Sequence, residues 1–289
     1  MIVDAHTHVW GPDALELDWL ADPTAGPLRR PYPVGELLAE EAACGVDAVV
    51  LVTAVESVAG TAALLAEVER DDASRAAPGA PRAAPRIGAV VGWVDLTAPG
   101  VGGRLDALRA GPGGRLLRGV RLVQEQVEPG RRSTDALLRA CDALAERGLV
   151  LEVLVAPGRL ADLAELVDAR PELPVVLDHL GGPSPDAGEA WRLDLFGLAH
   201  APRVFLKLSG LDLRTPFGAD CAAFALDLFG PRRVMAGSDW PVLRLRSTLE
   251  AVWSDLAVAA AGLTSAERDA VLGGTAAEVY GIDHQGGTP

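Results

Sequence analysis

Met1-Ile2-Val3-Asp4-Ala5-His6-Thr7-His8 opens the chain, and its reading decides how the rest is taken. Three apolar residues lead into two histidines separated by a single residue. Side chains at i and i+2 of an extended strand leave the same face. A strand over residues 2–6, with His8 just past its end, therefore aims both imidazoles at one point. Imidazole nitrogen is the commonest protein ligand of zinc and similar ions, so the pair is half of a candidate metal site. Taken alone, it reads equally well as two histidines near a chain end.

Outward from that strand, apolar β-branched runs recur at residues 46–52, 87–94, 119–123, 150–155, 175–178, 204–208 and 234–236. Helical patterns fill the intervals at 34–44, 58–70, 101–110, 133–147, 158–169, 189–199 and 216–229, and continue at 246–261, 265–272 and 275–280. Continuous apolar strands are expected where both faces of a parallel sheet are covered. Eight strands alternating with helices predict an α/β protein, a single-domain (β/α)8 TIM barrel over residues 1–284 with a frayed tail at 285–289. A doubly wound sheet is the poorer alternative, because no GxGxxG turn follows the first strand. The proline-rich segment 10–33 is too apolar for a linker and reads as an active-site loop. The Ala-, Pro- and Arg-rich stretch 71–86 lies between a helix and a strand. In a barrel that is the face away from the chemistry, so a flexible loop without catalytic role is expected there.

Composition narrows the function. The 289 residues are 49% hydrophobic, enough for one large core. With 26 basic against 40 acidic residues the net charge is −14, and no basic stripe suggests nucleic acid. No apolar run reaches the roughly 18 residues that a membrane span needs, and no basic, apolar leader opens the chain. Cys44, Cys141 and Cys221 form no metal or disulfide spacing, as expected of a reducing compartment. Together these predict a cytoplasmic protein. Arginine is abundant, but Lys207 is the single lysine.

In a barrel, chemistry gathers where strands end. Strand six ends Leu177-Asp178-His179-Leu180-Gly181-Gly182-Pro183, which places His179 at the rim. Strand eight ends Ala236-Gly237-Ser238-Asp239-Trp240-Pro241, which places Asp239 opposite the first-strand histidines. His6, His8, His179 and Asp239 thus form a converging set from strands one, six and eight.

On these residues the chain resembles the amidohydrolase superfamily, with His-x-His on strand one and an Asp on strand eight. It is more closely similar to the amidohydrolase-2 group, which includes sugar lactonases and 2-pyrone-4,6-dicarboxylate lactonase. Further motifs carry the likeness: Leu17-Asp18-Trp19-Leu20, Gly119-Val120-Arg121 and Lys207-Leu208-Ser209-Gly210-Leu211. Binuclear members of the superfamily use a bridging carboxylated lysine, commonly on strand four. Here that strand offers Arg121 and Gln124 and no lysine, so a lysine-bridged metal pair is not expected. Strand five has no histidine; its carboxylate, Glu152, reads either as a metal ligand or as a buried polar group. The resemblance implies one divalent ion, zinc foremost, or none.

The implied reaction is hydrolysis of a small lactone, a sugar-acid lactone first. Asp239 would act as general base and then acid, with an ion on His6, His8 and Asp239. Without an ion, His179 and the strand-one pair would polarise the carbonyl. Arg121, Gln124 and Lys207 are candidate substrate contacts, and Trp19 and Trp240 candidate pocket walls. The alternatives are a 2-pyrone-4,6-dicarboxylate-type lactonase, a metal-dependent decarboxylase of the same superfamily, and a non-catalytic sugar-acid-binding barrel. The expected partner is a small lactone, with further copies of the chain in a homo-oligomer the remaining option.

Overall fold

The structure, a computed structural model, describes residues 1–12, 18–77, 85–124, 135–156 and 158–283. Eight strands run parallel in chain order: β1 (Val3–Thr7), β2 (Ala48–Val52), β3 (Arg86–Gly92), β4 (Leu117–Val123), β5 (Val150–Leu154), β6 (Val175–Leu177), β7 (Val204–Leu208) and β8 (Val234–Ala236). β8 returns to β1 beyond its end. The His8 amide donates to the Trp240 carbonyl at 2.7 Å and the Asp239 amide to the His6 carbonyl at 2.9 Å. The expected (β/α)8 barrel is the observed fold.

Helices α1 (Val34–Ala43), α2 (Val58–Ala76), α3 (Val101–Ala110), α4 (Asp135–Ala145), α5 (Ala164–Ala169), α6 (Gly188–Leu198), α7 (Pro216–Phe229) and α8 (Leu249–Ala259) cover the outside. Two short ones, α9 (Ser265–Asp269) and α10 (Thr275–Tyr280), complete the chain. A large apolar cluster joins strands to surrounding helices, and a smaller one of Val3, Ala5, Val50, Val150, Val176 and Met235 joins α10 through Tyr280. No helix among the described residues is long and apolar enough to cross a membrane.

Element boundaries differ from the sequence reading most at two places, and the pattern at 265–272 ends as α9 at Asp269, followed by a π turn over Ala270–Gly274. α2 runs on to Ala76, so residues 71–76, expected in a loop, are helical. The polar run there suits a solvated helix face, and Arg75 pairs with Asp71 one turn back at 2.8 Å. The rest of that stretch, 78–84, and the tail lie outside the described residues. The pattern at 158–169 resolves into a 3-10 turn over Leu160–Leu163 followed by the short α5.

Candidate active site

The first strand contains an irregularity that alternation does not foresee. Asp4 pairs with Val49 of β2, but Thr7 pairs with Leu51, so β1 carries an extra residue between them. Such a bulge re-aims side chains. Asp4 meets Glu41 of the covering helix α1, whereas His6, two residues on, lies inside the barrel against Asp178 and Lys207. In a regular strand these two side chains would share a face. Past the strand end, His8 comes alongside: the two Nε2 atoms are 3.0 Å apart. Asp239 Oδ1 stands 3.5 Å from His8 Nε2 and 3.8 Å from His6 Nε2. The His179 ring centre is 4.6 Å from that of His6. The four residues expected to converge do so.

Both rim residues contributed by β6 and β8 are held in left-handed backbone, His179 at φ 53° and Asp239 at φ 64°. Non-glycine residues in that region cost about 1–2 kcal/mol each and persist where surroundings enforce them. The enforcement around His179 is visible. Its Nδ1 lies 2.9 Å from Ser209 Oγ, and Gly210 offers no side chain because a carbon there would collide with the imidazole.

Hydrogen bonding fixes which ring atoms are free. His8 Nδ1 lies 2.9 Å from the Val52 carbonyl, an acceptor only, so it carries the proton and Nε2 is a lone pair. His6 Nδ1 sits between Asp178 Oδ1 at 3.1 Å and Lys207 Nζ at 3.2 Å, which select opposite tautomers. When Lys207 donates, the His6 proton sits on Nε2 and bridges to His8. When His6 donates to Asp178, both Nε2 atoms and Asp239 Oδ1 are acceptors facing one another. Two imidazoles and a carboxylate are a zinc-type donor set, and these three offer atoms within 4.8 Å of one another. Donation of the remote ring N–H to a carbonyl and to a carboxylate is the usual support of ligating histidines. The residues fit a single divalent ion.

Electrostatics leave one fixed charge at the rim. Burial alone would raise the Asp239 carboxyl, but the neighbouring His179, His8 and His6 hold it below the ordinary carboxylate range. Burial drives the His6 imidazole well down against the pull of Asp178, and lowers His179 against that of Asp239. Asp239 is thus an anion beside two imidazoles, His6 and His179, that burial keeps from charging.

Comparison with known proteins agrees with this geometry. A family model described as amidohydrolase matches residues 3–282. The chain belongs to the amidohydrolase family. An L-fucono-1,5-lactonase of Burkholderia multivorans is 34% identical over 97% of this chain and 96% of its own. Another of that name from Burkholderia ambifaria is 30% identical over 99% and 97%. Among solved structures, an amidohydrolase from Burkholderia multivorans with bound zinc superposes with a TM-score of 0.84 at 34% identity, covering 98% of this chain and 100% of that one.

Within the amidohydrolase, the remaining sequence candidates separate. Arg121 reaches the rim: Nη1 is 3.9 Å from Asp178 Oδ2, and its buried Nε has no hydrogen-bond partner. With Trp93 it lines a cleft of about 310 Å³ at the ends of β3 and β4. Lys207 does not reach the rim. It is fully buried, with Nζ 2.6 Å from Glu152 Oε2 and 3.4 Å from Asp178 Oδ1. Glu152 also accepts from Tyr280 at 2.8 Å, and burial pushes its carboxyl up to about 7 against the pull of Lys207. Gln124 has its amide engaged, donating to the Arg159 carbonyl and accepting from the Ala156 amide, both at 3.0 Å. Trp240 is sealed in the wall against Tyr32, its indole N–H on Glu40. Trp19 is 40% exposed and packs edge-on against Trp10 in the segment after β1.

Three contributors were not singled out from sequence. Asp178 supports His6, Ser209 supports His179, and Arg246 lies 3.7 Å from Asp239 Oδ2. Asp178 was legible as a charge at a strand end. Arg246 belongs to an arginine-rich run with no distinguishing signal.

Proposed function

We propose that this amidohydrolase opens a sugar-acid lactone, of the kind its L-fucono-1,5-lactonase relatives are named for. The observation that carries the reading is the anionic Asp239 held against His6, His8 and His179, with the unpartnered Arg121 donor beside them. Full-length similarity to two lactonases supports the substrate class.

Water attacks the lactone carbonyl carbon while Asp239 accepts its proton. A carboxylate so stabilised is a weak base at rest. Transfer is completed only as the water oxygen bonds to carbon and becomes strongly acidic. The bond between the carbonyl carbon and the ring oxygen then breaks, and Asp239 returns the proton to the ring oxygen, leaving a hydroxy acid. With Ser209 donating to His179 Nδ1, the ring's Nε2–H is available to the developing oxyanion. Arg121 holds a hydroxyl or carboxylate of the substrate through its free donors, over the cleft that Trp93 lines. A divalent ion held by His6, His8 and Asp239, zinc in our reading, supplies Lewis acidity toward the carbonyl when bound.

The sugar reading is favoured over a 2-pyrone-4,6-dicarboxylate. The relatives that match over nearly the whole chain are named for a sugar lactone, and Lys207, a candidate carboxylate partner, is spent inside the barrel. The test is acid release from a panel of aldonolactones, followed with a pH indicator beside 2-pyrone-4,6-dicarboxylate. L-Fucono-1,5-lactone and its stereochemical relatives should be the best substrates. A folded protein that binds sugar lactones and releases acid from none would be a binding barrel instead.

A further inference from the structure

Beneath the rim lies a second cluster that the reaction does not use directly. Glu152 of β5, Asp178 after β6 and the inner nitrogen of His6 offer one ligand atom each within 4.8 Å of one another, all fully buried. That is a carboxylate-rich set in which a divalent cation would be at home. Its acceptors are undersupplied with hydrogen bonds: Glu152 Oε1 and Asp178 Oδ2 have no hydrogen-bond partner, and Asp178 Oδ1 has a donor only when His6 carries its proton on Nδ1. Buried acceptors in that condition are costly unless a positive charge sits among them.

One does. Lys207 Nζ is 2.6 Å from Glu152 Oε2, 3.2 Å from His6 Nδ1 and 3.4 Å from Asp178 Oδ1, the same three residues. We propose that the Lys207 ammonium is a built-in second cation, occupying between Glu152, Asp178 and His6 the position that a second metal ion would take. The two positions meet at His6: with a metal on the outer nitrogen the inner N–H donates to Asp178, and the ammonium is held by Glu152 and Asp178. A second metal in the ammonium's place would take the inner nitrogen only by displacing that proton to solvent, leaving His6 a bridging imidazolate, so with Lys207 present the barrel is a one-metal site by construction. An ammonium is held at hydrogen-bond distances of about 2.7–3.2 Å, whereas zinc draws ligands to about 2.0–2.2 Å. The exchange therefore asks for a modest contraction of the same three ligands and for release of the His6 ring proton to solvent.

The inference rests on the reading that the rim set takes an ion, but its test reads a difference in metal content, which is informative whatever the rim holds. Untagged wild-type, Lys207→Ala and the double variant Lys207→Ala/Glu152→Gln would be refolded with zinc, dialysed to equilibrium against it, and their metal counted by elemental analysis. Lys207→Ala should hold one equivalent more than wild type and gain thermal stability on zinc addition beyond the wild-type gain. The double variant, lacking the Glu152 ligand, should hold the wild-type number. A Lys207→Ala protein that folds and holds no extra zinc overturns the proposal, as does a double variant that keeps the extra equivalent. A Lys207→Ala chain that folds neither with nor without zinc overturns it too, since the ion then does not replace the ammonium. A wild type without metal would count against an ion at the rim while leaving the comparison between proteins intact.

Discussion

At the rim of the barrel, His6, His8 and Asp239 turn acceptor atoms toward one another, the closest pair 3.0 Å apart, and among the described residues the cation beside them, Arg246, lies on the far oxygen of Asp239 at 3.7 Å, not between them. One layer below, Glu152 and Asp178 close on the ammonium of Lys207, and Tyr280 adds a hydroxyl. Both layers are buried, and both draw on His6. The rim is left open to an incoming electrophile, whether ion or carbonyl, and the floor is compensated from within. Where a barrel needs charge for chemistry it leaves a buried group short of partners; where it needs charge for support it completes the set. Substitutions at the rim should therefore cost rate with little stability, and substitutions below should do the reverse.

The largest effect expected is that of Asp239→Asn. The amide is nearly isosteric, so the melting temperature should hold, but it cannot take the proton from water. General acid–base catalysis contributes about 10²–10⁴ in rate, so kcat on the best lactone should fall by at least about 10²-fold. KM should move little, because Arg121 and its cleft are untouched. The pH profile gives a second check. The imidazoles around Asp239 hold its carboxyl below the ordinary value of 3.8, so it becomes protonated, and activity is lost, only as pH falls through that lowered value. Wild-type kcat should then show no acid limb from Asp239 between about pH 5 and 8. An Asp239→Asn protein with near wild-type turnover would break the division between rim and floor at its centre.

Gly210→Ala should come next, losing about 10- to 10²-fold in kcat, somewhat less than outright removal of an oxyanion donor. The added carbon collides with His179 and the backbone sits at φ +70°. Gly45→Ala separates the two causes. That residue has φ +75° with open space around it, in the turn between α1 and β2. It should share the backbone cost of about 1–2 kcal/mol and leave kcat unchanged. Equal rate losses in both variants would mean that strain, not the position of His179, sets the rate.

The barrel was legible because its strands are uninterrupted apolar runs, and the rim because function in this fold gathers at strand ends. What sequence could not give is depth. Lys207 is one residue short of the end of β7 and pairs with Met235 of β8, so its side chain enters the interior below the rim. Alternation tells which face a side chain takes, not how far along the barrel axis it lies. The bulge in β1 was equally hidden, since an extra residue leaves no compositional mark, and it is what allows Asp4 and His6 to part company. Gln124 and Trp240 flank the chemistry in sequence and serve the walls. Their polar groups are satisfied by backbone and by Glu40, partners 32 to 200 residues away in the chain.

The smallest effect tests the floor from another side. Asp4 and Glu41 are a second pair of buried carboxyls, hydrogen-bonded to each other, and no cation among the described residues joins them. Asp4 Oδ2 and Glu41 Oε1 have no other donor, so a proton does the work that Lys207 does for Glu152 and Asp178. Burial and the charge of Asp4 push the Glu41 carboxyl up from 4.5 to about 11. The folded state thus keeps a proton that the unfolded chain releases above about pH 4.5. Its stabilising contribution is complete below that pH and is lost progressively as pH rises toward the folded value, at up to about 1.4 kcal/mol per unit. Glu41→Gln supplies the donor permanently and keeps an oxygen for the Trp253 indole N–H, now 3.1 Å from Glu41 Oε2. We expect its melting temperature to exceed that of wild type at pH 8, the gain in stability being up to the roughly 4 kcal/mol that about three units of that slope allow, with little or no gain at pH 5. Turnover should stay within about two-fold, because the Asp4 oxygen that anchors the His6 and Ser238 amides, at 3.0 and 2.9 Å, is not the one facing Glu41. A variant destabilised equally at both pH values would show that Glu41 is ionised in the fold. The two carboxyl pairs would then no longer differ in what neutralises them.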